Sequence, residues 1–388
     1  MINFQYNNPA RVIFGDGAEK SIEALFVEYN VKSLLLVYSG SFIKDLGMWD
    51  TVHSACKKLN IAFYEEGNVV PNPKIELVRN LVSLGKSKSV DFVLAVGGGS
   101  SIDTAKAVSI GVPYDGDVWD FFEGKSDIKE ALPIGVITTL PSSGSETSNC
   151  SIISNGILKV GVESDLIIPK FAVMNPRFTM GLPPYQTSCG LADILSHLLE
   201  RYFTDVENVD TTDYLIEGAV KALMLNAERL MMNPKDYNAR AEVQWLASIA
   251  HNNLLDTGRI SDWGSHRIEH ELSAQYGITH GEGMSVVLIA WTHYMALNKP
   301  KKLAQLANRL YGIDYHNYTE KEMALILSKK LKEFFSSLNL KTTLSELNIG
   351  DEHFEEMALR ATNNNTSTVG HYIPLDKNKF IDILHLAK

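Results

Sequence analysis

The sequence predicts an α/β domain built on a parallel sheet, followed by an all-helical domain. In the first half, short aliphatic or β-branched runs alternate with longer amphipathic stretches, which is the pattern of strands joined by helices. In the second half, helical periodicity dominates and Gly or Pro separates the segments. The pair Pro183–Pro184 lies at the change and favours an extended connection. We therefore expect two domains, residues 1–180 and residues 181–388.

Five runs in the first half have the length and composition of strands. Because helical patterns separate them, they are expected to lie side by side in one parallel sheet. They are SLLLVY at 33–38, IAFYEE at 61–66, DFVLAVGGG at 91–99, IGVITT at 134–139 and KFAVMN at 170–175.

Charge and cysteine content exclude several classes of protein. Lys and Arg number 36 against 46 Asp and Glu, and no basic cluster is longer than a pair, so binding to nucleic acid or to an anionic membrane is not expected. Cys56, Cys150 and Cys189 are odd in number and widely spaced, which fits thiols in a reducing compartment. With no export signal and no long apolar run, we expect a cytoplasmic protein.

A glycine-rich turn follows the third predicted strand. Gly97, Gly98 and Gly99 precede Ser100 and a good helical sequence. Such a turn lets the backbone approach a ligand, and the N–H groups and positive end of the next helix favour a phosphate. The alternative is a plain strand-to-helix turn capped by Ser100 or Asp103.

Two further loops favour a dinucleotide site. Ser39, Gly40 and Ser41 follow the first predicted strand, where the adenosine ribose of a dinucleotide commonly lies. This turn offers no carboxylate for a ribose 2′-hydroxyl and has Lys44 nearby, so NADPH is preferred over NADH. The hydroxyl-rich stretch ITTLPSSGSETS at 137–148 also follows a strand, although it could equally be a surface loop.

Candidate metal ligands are concentrated in the second half. Asp193 and His197 are four apart on a predicted helix and would converge on one face, although a solvated polar face would look the same. With two of the later histidines they would form a shell of one oxygen and three nitrogens, suited to Zn²⁺ or Fe²⁺. His266, Glu269 and His270 also match the H-x-x-E-H order of an inverted zinc peptidase. Spacing alone leaves both arrangements open.

Three segments together resemble the iron-containing, or group III, alcohol dehydrogenase family, in its butanol dehydrogenase-like branch. They are GGGSSIDTAKA, GLADILSHLLERYF and DWGSHRIEHELSAQYGITHGEGMSVV, with PNP at 71–73 and LPSSGSE at 140–146 in support. The resemblance implies a Rossmann-like N-terminal domain and an all-α metal-binding domain, the dehydroquinate synthase-like architecture. It also implies metal ligation by Asp193, His197, His266 and His280, with His270 unligated near the substrate as the catalytic residue.

The resemblance further implies a set of residues that bind the cofactor. Pyrophosphate contacts fall at Gly98, Gly99 and Ser100, and the adenosine end at Ser39, Gly40 and Ser41. The other implied contacts are Asn72, Asp103, Thr138, Ser142, Ser148, Lys159 and Leu182.

The predicted reaction is hydride transfer between NADPH and a small aliphatic aldehyde such as butanal, with Fe²⁺ or Zn²⁺ as a Lewis acid. The substrate is a small aldehyde or primary alcohol, and the resemblance suggests a homodimer that pairs along the strand-like ARVIFG. Three alternatives stay open: a non-redox enzyme similar to dehydroquinate synthases, the inverted metallopeptidase, and a non-catalytic dinucleotide-binding protein.

Overall fold

The computed structural model describes residues 1–388. Eight strands are present, and six of them form one parallel sheet in the order β1-β8-β5-β4-β2-β3. The other two, β6 and β7, form an antiparallel hairpin. Their bounds are β1 Arg11–Phe14, β2 Ser33–Tyr38, β3 Ala62–Glu66, β4 Phe92–Gly97, β5 Ile134–Thr138, β6 Cys150–Asn155, β7 Leu158–Glu163 and β8 Phe171–Met174.

Fifteen α-helices connect and follow these strands, with short 3₁₀ turns between some of them. Those of the N-terminal half are α1 Ile22–Glu28, α2 Phe42–Asp45, α3 Met48–Leu59, α4 Ile75–Ser87, α5 Gly99–Gly111 and α6 Trp119–Phe122. The later ones are α7 Pro184–Tyr202, α8 Asp210–Met232, α9 Tyr237–His251, α10 Gly264–Tyr276, α11 His280–Asn298, α12 Lys301–Tyr311, α13 Glu320–Ser337, α14 Phe354–Ala361 and α15 Lys377–Leu386.

The central strands of the sheet are buried on both faces. On β2, Leu35 and Val37 pack into one apolar cluster, whereas Leu34 and Leu36 pack into another. Successive side chains of a strand point to opposite faces, so a strand covered on both faces must be apolar throughout. All five strands predicted from the sequence are present, and the predicted fold class is confirmed.

The chain divides into two compact units, and each unit is formed by more than one segment of the chain. One unit comprises residues 7–182 and 235–252, and the other comprises residues 1–6, 183–234 and 253–388. Helix α9 therefore belongs with the sheet although its sequence lies in the second half. The division at residue 180 stays a prediction. In the structure, residues 1–6 belong to the helical unit and residues 235–252 belong to the sheet-containing unit.

The second unit contains helices and turns but no strand. Its longest helices, α7, α8, α11 and α13, bury apolar stripes that include Leu195, Leu223, Val287 and Leu327. No helix in the structure is both long enough and apolar enough to cross a bilayer.

Candidate active site

Helices α7, α10 and α11 bring one carboxylate and three imidazoles together in the helical unit. The Oδ1 atom of Asp193 lies 3.3 Å from Nε2 of His280, 3.5 Å from Nδ1 of His197 and 3.9 Å from Nε2 of His266. Asp193, His266 and His280 each offer a ligand atom within 4.8 Å of the others. His197 adjoins this set, with its ring centroid 4.7 Å from that of His266.

Close packing of α11 against α7 allows His280 to reach Asp193. A Cβ atom on Gly281 would lie 2.1 Å from the backbone oxygen of Cys189, one helical turn before Asp193. Only glycine fits at such a distance, because the contact would be with backbone and could not be relieved by a side-chain rotation. The glycine after His280 is therefore part of how the cluster is assembled.

The start of α10 is fixed by Asp262 and Trp263. Asp262 accepts hydrogen bonds from Nε1 of Trp291 and from the backbone N–H groups of His371 and Tyr372, at 2.7–2.9 Å. Burial and the neighbouring Glu200 raise the pKa of Asp262 to about 7. Trp263 takes a left-handed backbone conformation with φ of 64°, which is rare for a bulky residue and persists only where the surroundings impose it.

The ring of Trp263 closes one side of the cluster. Its centroid lies 5.3 Å from that of His266 and 6.0 Å from that of His197, and the Arg201 guanidinium is 4.6 Å from it. Trp263, the residue just before α10, thus packs against the imidazoles of His197 and His266.

Two buried carboxylates hold the outer nitrogens of the imidazoles. Glu200 accepts a hydrogen bond from Nδ1 of His266 at 3.3 Å and from its backbone N–H at 3.0 Å. Glu269 accepts from Nδ1 of His280. A proton fixed on Nδ1 leaves Nε2 as the basic nitrogen of each ring, which is how metal-binding histidines are usually oriented.

The charges of the cluster fit a divalent cation. Asp193, Glu200 and Glu269 are at most 1% exposed, and buried carboxylates are costly unless positive charge compensates them. Burial alone would raise the pKa of Asp193, but the imidazoles of His197 and His280 hold it well below its usual range. The Nε2 atom of His266 is buried with no hydrogen-bond partner in the chain. An ion among these atoms would satisfy that nitrogen and offset the carboxylates.

His270 lies beside the cluster on the side of His280. Its ring centroid is 5.7 Å from that of His280 and 6.4 Å from that of His266. Glu269, His270 and His280 form a second group of nearby ligand atoms. In that group, however, Nδ1 of His280 and the carboxylate of Glu269 are hydrogen-bonded to each other. An inverted peptidase would need Glu269 as its general base, and this contact with His280 already engages that carboxylate.

The glycine turn lies in the sheet-containing unit, between β4 and α5. A Cβ atom on Gly99 would lie 2.5 Å from Oγ of Ser143, and one on Gly98 would lie 3.2 Å from Cβ of Leu140. The glycines thus allow this turn to pack against the hydroxyl-rich loop. No side chain caps the N-terminus of α5 and no acidic residue occurs in its first turn, so no capping side chain would compete with a phosphate at the positive end of this helix.

Buried hydroxyl groups near this turn also fit a polar ligand. The side-chain oxygens of Thr138 and Ser101 are buried and have no hydrogen-bond partner in the chain, which is uncommon in folded proteins. Ser148 and Asp103, in contrast, are engaged internally. Ser148 accepts from Nζ of Lys106, and the two carboxylate oxygens of Asp103 accept from Ser145 and from the backbone of Ile152.

The remaining predicted cofactor residues lie at several places in the sheet-containing unit. Ser39 forms an isolated antiparallel β-bridge with Asn68, and the backbone N–H of Gly40 donates to the backbone oxygen of Gly67. Asn72 has a positive φ of 52° in the loop before α4. The others are Ser41 at the start of α2, Ser142 in the hydroxyl-rich loop, Lys159 on β7 and Leu182 at the end of the first segment of this unit.

Comparison with known proteins identifies the family. The protein-family model for iron-containing alcohol dehydrogenase matches residues 9–176. The family model for the C-terminal domain of the Fe-containing alcohol dehydrogenase family matches residues 187–388. The chain is 38% identical over 387 residues to NADH-dependent butanol dehydrogenase A of Clostridium acetobutylicum, covering 99% of each chain. It is 32% identical over 388 residues to an NADPH-dependent aldehyde reductase of Escherichia coli, covering 98% of this chain and 99% of that one.

A solved structure agrees with this result. The crystal structure of NADH-dependent butanol dehydrogenase A from Thermotoga maritima is 33% identical, covers 99% of this chain and 98% of that one, and superposes with a TM-score of 0.94. Fold and matches together define a metal-dependent, NAD(P)-linked dehydrogenase. The chain belongs to the iron-containing alcohol dehydrogenase family, and the predicted family and enzyme class are confirmed. Redox chemistry thereby replaces the non-redox and non-catalytic alternatives.

Sequence reasoning missed the roles of Glu200, Asp262 and Trp263. Glu200 lies three residues after His197 and had the pattern of a solvated helix face, yet it is fully buried. Asp262 and Trp263 immediately precede α10, and their roles depend on hydrogen bonds and ring contacts that only the structure shows. A carboxylate within one turn of a candidate ligand was the available signal.

Proposed function

We propose that the protein reduces small aliphatic aldehydes such as butanal with NADPH, and that Asp193, His197, His266 and His280 hold one Fe²⁺ or Zn²⁺ ion. The observation that carries the proposal is the grouping of buried Asp193 and His266 with partly buried His280, in which Nε2 of each imidazole lies near one carboxylate oxygen. One carboxylate and three neutral imidazoles suit either ion, whereas Mg²⁺ and Ca²⁺ prefer oxygen ligands.

The reaction combines one aldehyde, one NADPH and one proton to give one alcohol and one NADP⁺. When bound, the ion supplies Lewis-acid polarisation of the carbonyl group. The dinucleotide supplies the hydride. His270 exchanges the proton from its imidazole, which is the side chain best suited to proton transfer near neutral pH. Glu200 and Glu269 keep the rings of His266 and His280 in one orientation and one tautomer.

The cofactor choice rests on the turn after β2. Ser39, Gly40 and Ser41 offer no carboxylate that would repel a 2′-phosphate, and Lys44 follows within the short helix α2. We place the pyrophosphate at Gly98, Gly99 and Ser100, at the uncapped start of α5. Asn72, Asp103, Thr138, Ser142, Ser148, Lys159 and Leu182 complete the proposed cofactor site.

Butanal reduction by protein stripped of metal tests this activity. The protein is reloaded with Fe²⁺, with Zn²⁺ or with no ion, and oxidation of NADPH and NADH is followed for each. We expect oxidation only with an ion present and a kcat/KM about tenfold or more higher with NADPH, because one extra charge-assisted contact is worth about 1.5 kcal/mol or more. Equal or better use of NADH would refute the cofactor preference alone. No oxidation with any ion or cofactor would refute the activity.

Replacement of Glu269 tests how the ligands are oriented. We expect Glu269→Gln to weaken binding of Zn²⁺ or Co²⁺ about 10- to 100-fold, the usual effect of losing the partner of a metal-binding histidine. Glu271→Gln is a matched control on the same helix, because Glu271 pairs with Arg360 at 2.9 Å. Both are measured by competition with a chelating dye. Equal metal affinity in the two variants would contradict the role of Glu269.

We also propose that the protein is a cytoplasmic homodimer that pairs along β1. This strand contacts β8 on one side and lies at the edge of the sheet, so its other side carries backbone groups that a second copy could pair with. Light scattering after gel filtration would give twice the chain mass, and Val12→Pro should shift it toward the monomer.

A further inference from the structure

Lys106 lies in the interior of the sheet-containing unit. It occupies the third turn of α5, the helix that follows the glycine turn, and it is fully buried. An unpaired ammonium group in such a place would be strongly unfavourable. The residue therefore must have a compensating set of contacts, and neither the proposed hydride transfer nor the proposed metal site uses it.

All the hydrogen bonds of this ammonium go to one segment of chain. Nζ donates to Oγ of Ser145 at 2.9 Å, to the backbone oxygen of Ser148 at 2.8 Å and to that of Cys150 at 2.9 Å. It also lies 3.1 Å from Oγ of Ser148. These acceptors occupy the end of the hydroxyl-rich loop and the first residue of β6. Lys106 thus ties that loop to α5.

Asp103 joins the same network one turn earlier on α5. Ser145 donates to Oδ1 of Asp103 at 2.6 Å while it accepts from Lys106. The backbone N–H of Ile152 donates to Oδ2 at 3.1 Å. The carboxylate offsets part of the buried positive charge, and burial still lowers the pKa of Lys106 to about 8. One cation and one carboxylate on α5 therefore hold the loop at Ser145.

Helix α9 holds the other side of the loop. Gly144 has a φ of 65°, and a Cβ atom there would lie 2.3 Å from the backbone oxygen of Ala247. Ser248 donates to Glu146 at 2.5 Å, and Nδ1 of His251 lies 2.5 Å from the backbone oxygen of Ser143. The loop is thus held by hydrogen bonds to α9 on one side and to Lys106 on the other.

We propose that Lys106 is a positioning residue that sets the cofactor affinity by fixing the hydroxyl-rich loop against the glycine turn. The inference rests on the proposed function, because it takes this loop and this turn as the cofactor site. Without the ammonium, Ser145, Ser148 and Cys150 lose a shared donor, and the loop no longer has a fixed distance from Gly99. Lys106 itself does not touch the cofactor in this proposal.

Lys106→Met tests the proposal, because methionine keeps most of the side-chain length and removes the charge and the donors. We expect the Kd for NADPH, measured by quenching of protein fluorescence, to rise on the order of 10- to 100-fold. The metal content and the kcat at saturating NADPH should stay within about threefold of the parent protein, since the change acts on cofactor binding. Ser145→Ala should raise the Kd in the same direction.

Lys302→Met is the matched control for loss of a buried lysine. Lys302 donates to Asp213 in the helical unit and is 9% exposed. Its replacement should lower the Tm and leave the Kd for NADPH unchanged.

The outcomes separate this inference from the proposed function. If the parent protein binds NADPH and both Lys106→Met and Ser145→Ala keep the parental Kd, the positioning role is wrong. It is also wrong if Lys106→Met does not fold and Ser145→Ala keeps the parental Kd. A raised Kd in Ser145→Ala supports it even then. If the parent protein binds neither NADPH nor NADH, the proposed function fails, and the inference fails with it.

Discussion

Replacing His280 with alanine is expected to remove the ion from the protein and to lower kcat about a thousandfold or more, since polarisation by a metal is worth several kcal/mol. The variant loses Nε2, which lies 3.3 Å from Asp193. It also loses the group that donates to the buried carboxylate of Glu269. Both consequences weaken the site: one proposed ligand disappears, and one buried carboxylate loses a hydrogen-bond donor.

Metal content by mass spectrometry and butanal reduction are the two measurements for this variant. His293→Ala is the matched control, because His293 lies on the same helix α11 but outside both groups of candidate ligands. We expect it to keep its ion and its activity. Full metal occupancy in His280→Ala would show that His280 is not a ligand, whatever the rate.

The central strands of the sheet could be predicted from the sequence because they are buried. Strands such as Ser33–Tyr38 and Phe92–Gly97 are covered on both faces and are buried at every position, so their residues form continuous apolar runs. The hairpin of β6 and β7 was not predicted, because alternate residues are partly exposed and the apolar pattern is weaker. The local signal in the sequence was Gly156 after Asn155, because Gly156 takes a positive φ of 57° in the two-residue turn.

Long-range contacts explain what the sequence could not show. Nothing local in Tyr237–His251 distinguishes it from the helices of the other unit, yet Gln244 and Ser248 donate to the end of β5 and to the hydroxyl-rich loop. Lys106 likewise has the pattern of an ordinary helical lysine. Its hydrogen bonds go to acceptors about forty residues later in the chain, which the periodicity of the helix does not indicate.

The candidate metal site shows the same division. The spacing of Asp193 and His197 indicated one helix face, and Nδ1 of His197 lies 3.5 Å from Oδ1 of Asp193. Spacing could not choose between His266 and His270, which are also four apart on one helix. The structure distinguishes the two histidines. His266 lies in one group of candidate ligands with Asp193 and His280, whereas His270 lies in a second group with Glu269 and His280.

His270→Ala is expected to keep the ion and the cofactor and to lose about 10²- to 10⁴-fold in kcat, the usual contribution of a general acid or base. Its ring lies beside the cluster, 5.7 Å from that of His280, without belonging to the set that contains Asp193. Truncation therefore removes the proposed proton donor and leaves the proposed ligands in place. Added imidazole should restore part of the rate, because a small base can enter the space left by the ring, whereas a loss of structure would not respond. Parental turnover in the fully loaded variant would show that proton transfer does not depend on His270, and loss of the ion would make His270 a ligand.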